Sequence, residues 1–123
     1  MKIQFLFLFV IAGLFVTACN KDDDDTPVTT ECDTTGITYT NGAAAIINAS
    51  CATAGCHNTG TMSTFAMGNY TEAFAAVGFG RIIGAINHQA GFLPMPYPEG
   101  TAKLDQCDID KLTAWINAGA LEN

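Results

Sequence analysis

Apolar positions recur along this chain at the spacing of helices. Between 105 and 119, Ile109, Leu112, Trp115 and Ile116 fall on one face at about 100° per residue. Asp105 is placed to cap the start of that helix, with Asp108 three residues on, and Gly119 to stop it. Three shorter helices are predicted upstream. Asn41 is positioned to cap one through Ala43, Ile46 and Ile47 that runs directly into Cys51. Thr71 is positioned to cap a second carrying Phe74 and Val77, which Gly78 and Gly80 break before a third apolar stretch at Ile82, Ile83 and Ile86. No alternating stretch of convincing length argues for a sheet, and no internal repeat is visible. The expected fold class is all-α, with about three to five short helices joined by long loops.

The N-terminal pattern is of a different kind. Lys2 is followed by an apolar run of about 14 residues from Ile3 to Val16, interrupted by Gly13, and then by small residues before Cys19. That is short for a membrane span, which needs roughly 20 residues, and it matches a signal peptide over 1–18. Val16-Thr17-Ala18-Cys19 resembles the lipobox of bacterial lipoproteins, in which cleavage exposes a cysteine that is lipidated; the alternative is an ordinary signal with a coincidental cysteine. Residues 19–31, with the run Asp22-Asp23-Asp24-Asp25 and many turn formers, have no apolar periodicity and are predicted to be a solvated tether. The aspartate run also resembles the surface-export signal of Bacteroidetes lipoproteins, although a charge run beside a lipid anchor is more often a spacer. The expected location is the bacterial cell envelope, lipid-anchored at the outer membrane and either surface-exposed or on the periplasmic side.

The folded domain is therefore expected at 32–123, which leaves little core for a chain of 123 residues. Domains of that size gain noticeably from a cofactor or a disulfide. The formal net charge of −7, with only five Lys and Arg, disfavours nucleic acid, whose phosphates recruit clustered cations. Five cysteines in an exported chain point to disulfide or cofactor chemistry.

Cys51-Ala52-Thr53-Ala54-Gly55-Cys56-His57 ends in the Cys-His pair of c-type haem attachment. In that chemistry two thiols add to the haem vinyl groups, and the histidine after the second cysteine lies under the iron. Four residues separate the thiols instead of the usual two. The intervening residues are small and Gly55 tolerates positive φ, so they can loop out. Two other readings stand beside this one: a local Cys51–Cys56 disulfide with His57 incidental, and a zinc site that would lack an obvious fourth ligand. Cysteine parity does not separate haem from disulfide. With Cys19 lipidated and Cys51 and Cys56 consumed either way, Cys32 and Cys107 remain as a pair, and Cys107 lies off the apolar face of its helix.

From Cys32 to Asn123 the chain resembles the monohaem class I c-type cytochrome domain, especially the short cytochrome-like lipoproteins of Bacteroidetes. The likeness rests on Cys56-His57, Tyr70, Gly80-Arg81, Gly84-Ala85-Ile86-Asn87-His88, Leu93-Pro94-Met95-Pro96, and a terminal helix with Trp115-Ile116 and Gly119. It implies one covalent haem c held by Cys51 and Cys56, with His57 as proximal ligand and Met95 as distal ligand. His88 is the runner-up for the distal position. Met62 and Met67 are expected to be packing residues, and Tyr70, Phe74, Tyr97 and Trp115 walls of the haem pocket. Arg81 is a candidate partner for a haem propionate.

Histidine and thioether ligation favours a single-electron carrier over an enzyme, since no second cofactor or acid–base pair is evident. An acidic carrier suits redox partner proteins with basic docking patches, and the lipid anchor supplies the membrane. The competing expectations are a sensor or scavenger of a small ligand, if Met95 does not bind iron, and a haem-free, disulfide-stapled surface binding lipoprotein.

Overall fold

The computed structural model describes residues 31–60 and 65–123. The signal peptide, Cys19, residues 19–30 of the 19–31 tether and Met62 lie outside the described residues. Among those described there are four α-helices and no strand: α1 (Ala44–Ser50), α2 (Tyr70–Gly78), α3 (Ile82–Ile86) and α4 (Gln106–Asn117). No helix among the described residues is long and apolar enough to cross a membrane.

A π-helical turn, Tyr39–Ala43, leads into α1. Its cap is Thr38 instead of the expected Asn41. The Thr38 hydroxyl accepts from the Asn41 N–H at 3.4 Å, and the Asn41 carboxamide oxygen accepts from the Thr38 N–H at 2.8 Å. This is a capping box, so Asn41 is its third residue and the chain turns helical three positions earlier than a cap at Asn41 would allow. At α2 the cap is Asn69, not Thr71. Its side chain accepts from the Glu72 N–H at 3.0 Å, while the Glu72 carboxylate reaches back to the Gly68 N–H at 2.9 Å and the Thr59 hydroxyl at 2.8 Å. A Cβ at Gly68 would collide with Thr59, so only glycine lets these two backbone stretches lie side by side.

The α4 prediction holds in detail. Asp105 accepts from the Cys107 N–H at 2.9 Å. At the other end Gly119 takes φ +93°, its N–H donates to the Ile116 carbonyl at 3.0 Å, and Ala120 N–H donates to the Trp115 carbonyl at 2.9 Å. This pair of bonds is a Schellman stop, which satisfies carbonyls that a helix end otherwise leaves open.

The core gathers Tyr39, Ala43, Ile46 and Ile47 at the start, Ala73 and Ala76 of α2, Ile86 of α3, and Ile109, Leu112 and Trp115 of α4. Ile109, Leu112 and Trp115 are the largest fully buried side chains, each contributing about 1.5–3 kcal/mol by its removal from water. Helix α2 turns Ala73 and Ala76 inward and leaves Phe74 half exposed, against the expectation that Phe74 carries its apolar face. The C-terminal tail seals the core, because Tyr39 and Thr40 N–H groups donate to Leu121 and Glu122 carbonyls at 2.9 and 3.1 Å. A disulfide joins Cys32 to Cys107 in the first turn of α4, with Cα atoms 5.4 Å apart. The domain's first residues are thereby fixed to its last helix.

Candidate cofactor site

The end of α1 builds one wall of a cleft. Cys51 is the helix cap, its N–H donating to the Ile47 carbonyl at 2.8 Å. The four residues between the thiols loop out under two backbone bonds: Cys56 N–H to Thr53 carbonyl at 3.0 Å, and His57 N–H to Cys51 carbonyl at 3.1 Å. Gly55 takes φ +79° inside this loop, the left-handed conformation its lack of a Cβ permits. Cys51 is half-buried and Cys56 exposed, and both are thiols. Burial pushes the Cys51 thiol up to about 11, and the neighbouring Cys56 adds to the rise.

His57 is oriented from behind. Its Nδ1 lies 2.6 Å from the Phe65 carbonyl oxygen, and the His57 carbonyl in turn accepts from the Met67 N–H at 2.6 Å. A carbonyl only accepts, so Nδ1–H donates to it, which leaves Nε2 as the ring nitrogen that a metal would take.

Further lining comes from α3 and the loop after it. Phe92 folds back onto Gly84, where a Cβ would sit 2.6 Å from three ring carbons. Met95 is held through its own backbone: its N–H donates to the Ala85 carbonyl at 3.1 Å, and its carbonyl oxygen lies 3.0 Å from His88 Nε2. His88 has φ +52°, a left-handed conformation that costs a non-glycine residue on the order of 1–3 kcal/mol. The polar run Asn87-His88-Gln89 after an apolar stretch reads as a helix exit facing solvent. Instead His88 is half-buried, and its imidazole is turned onto the Met95 segment.

The cleft has a volume of about 1140 Å³. Cys51, Cys56, His57 and Met95 all line it, together with the apolar side chains of Phe65, Met67, Phe79, Ile82, Ile86, Phe92, Leu93 and Leu104. Arg81 stands among the lining residues with its guanidinium 5.9 Å from the Phe92 ring centroid. His88 does not line the cleft. Of the expected aromatic walls only Tyr97 does, whereas Tyr70 and Trp115 belong to the core, where each donates to the C-terminal tail. Phe65, Phe79 and Phe92 take the places expected of them. Phe65 and Phe79 meet edge to face at 4.7 Å between centroids. Their position follows from loop closure and carries no periodic signal in the sequence.

Among the described residues no three His, Cys, Asp or Glu side chains converge as a metal cage. Two thiols, one imidazole nitrogen, one thioether and one guanidinium in an apolar cleft match a flat apolar macrocycle carrying iron and carboxylates. No protein-family model, curated protein or solved structure matches this chain.

Proposed function

We propose that this protein is a monohaem c-type cytochrome with a class I-like fold, a lipid-anchored carrier of single electrons in the bacterial cell envelope. The observation that carries the reading is that Cys51, Cys56, His57 and Met95, spread over 45 positions of sequence, line the same apolar cleft. Cys51 and Cys56 would hold haem c by adding their S–H groups across its two vinyl groups, sulfur bonding to one carbon and hydrogen to the other. His57 would be the proximal ligand and Met95 the distal one. The bound iron supplies reversible one-electron chemistry, and thioether ligation favours its ferrous state relative to two histidines.

The protein's own contribution is placement and exclusion. The Phe65 carbonyl orients His57, Met95 is attached at two points of its backbone, and the phenylalanines keep the cleft apolar. Arg81 is available at the lining for a carboxylate. With an acidic net charge, its redox partners would be proteins with basic docking patches, since complementary charge speeds transient encounter. The test is a haem stain of the exported protein after boiling in detergent and electrophoresis. Colour that stays with the polypeptide supports thioether attachment, and a colourless band from cells competent in cytochrome maturation refutes the proposal.

A further inference from the structure

Resting on the haem reading, we infer that His88 is a positioning residue that holds Met95 in place as distal ligand through the Met95 main-chain carbonyl. Three observations point the same way. His88 Nε2 lies 3.0 Å from the Met95 carbonyl oxygen, and since the carbonyl only accepts, Nε2–H donates. The neighbouring anchor is shared: the Ala85 carbonyl receives both the His88 N–H and the Met95 N–H, each at 3.1 Å, so the two residues are tied to one point at the end of α3. His88 also adopts φ +52° although it is not glycine. A strained conformation persists where its surroundings over-determine it, and here the left-handed backbone is what aims the imidazole at the Met95 carbonyl.

The loop between the two residues is short and closed. Phe92 N–H donates to the Gln89 carbonyl at 3.1 Å, and the Phe92 ring packs on Gly84. With both ends of the Met95 main chain fixed, its side chain is presented to the cleft with few alternatives. A weak thioether bond gains most from such pre-organisation, because little ordering remains to oppose it. His88 thus acts on the iron through Met95 while standing outside the cleft.

The test uses the haem-loaded protein and three variants: His88→Gly, His88→Gln and Met95→Ala. Glycine accepts φ +52° without strain and removes the donor together with the half-buried ring, whereas glutamine restores a donating N–H at similar reach. Haem content is measured first, then the sulfur-to-iron charge-transfer absorption of the ferric protein and carbon monoxide binding by the ferrous protein. The expected result is a weakened charge-transfer band in His88→Gly and a rise of about fivefold in the fraction of iron open to carbon monoxide, the factor set by one ordinary hydrogen bond. His88→Gln should regain most of the band, and Met95→Ala should lose it altogether. A haem-loaded His88→Gly protein with an unchanged band and unchanged carbon monoxide binding overturns the inference alone. An intact spectrum in Met95→Ala combined with loss of low-spin character in His88→Gly overturns it too, by making His88 the ligand. A wild type without covalent haem overturns the functional reading and this inference with it.

Discussion

Trp115 and Leu121 close the C-terminal end of the core: the indole N–H donates to the Leu121 carbonyl at 2.9 Å, and the same oxygen receives the Tyr39 N–H at 2.9 Å. One backbone carbonyl therefore joins the last helix, the tail and the first turn of the domain. Trp115→Phe keeps an aromatic ring in the core and removes one of the two donors, so it should cost about 1–2 kcal/mol. Trp115→Ala leaves a large void at a fully buried position and should cost about 3–5 kcal/mol. Denaturant midpoints at constant slope measure both. Equal, small losses in the two variants would show that the ring is not what organises this end.

The Cys32–Cys107 disulfide spans 75 positions. Closing a loop of that length should stabilise the fold by about 4 kcal/mol in the chain-entropy model. The Cys32→Ser/Cys107→Ser double variant should fall short of wild type by up to that amount in denaturant unfolding. Mass analysis of non-reduced protein after alkylation should find neither residue labelled. Label on both would exclude the bond in solution.

Cys51 gives a pH dependence that haem attachment would remove. As a free thiol in protein made without haem, its folded pKa of about 11 stands above the ordinary value of 9.0 because burial disfavours the thiolate. A raised folded pKa means that the folded state holds its proton more tightly than the unfolded state. The corresponding stability is fully present below pH 9 and is lost as pH rises toward 11, on the order of 2 kcal/mol in total. Unfolding of haem-free protein between about pH 8 and 11 should show this decline, and Cys51→Ala should flatten it. In haem-loaded protein the sulfur is a thioether with no proton to lose, so that part of the decline should vanish. Near neutral pH, iodoacetamide should modify exposed Cys56 ahead of Cys51.

Replacing Met95 separates an electron carrier from a sensor of small ligands. If Met95 binds the iron, Met95→Ala should lower the midpoint potential and open the iron to carbon monoxide, while wild type binds that gas weakly. Wild-type protein that binds carbon monoxide as readily as Met95→Ala would favour the sensor. Cys56→Ser should reduce the yield of haem-loaded protein more than Cys51→Ser, because Cys56 alone adjoins His57.

How much of this was legible in the sequence varies by element. The boundaries of α4 were, because Asp105, the spaced apolar residues and Gly119 act through local backbone chemistry that any such segment would follow. The disulfide was as well, since cysteine parity and the off-face position of Cys107 left few arrangements. The starts of α1 and α2 were misplaced by two or three residues. The pattern Thr38-x-x-Asn41 was nevertheless there to be read as a capping box, and Asn69 with Glu72 three residues on as a helix start.

The sequence by itself determined an all-α domain and nominated Cys51, Cys56, His57 and Met95 by residue type and order, since those features depend on neighbours along the chain. Tertiary structure alone decided that the four line one cleft, that Trp115 and Tyr70 bond the C-terminal tail instead of lining it, and that Phe65, Phe79 and Phe92 replace them as walls. It also decided the place of His88. A polar residue after an apolar stretch reads as solvent-facing until the loop that follows folds back. Here the Phe92 ring packs on Gly84, the returning chain brings the Met95 carbonyl within 3.0 Å of the imidazole, and a hydrogen bond between residues seven apart fixes where the side chain points.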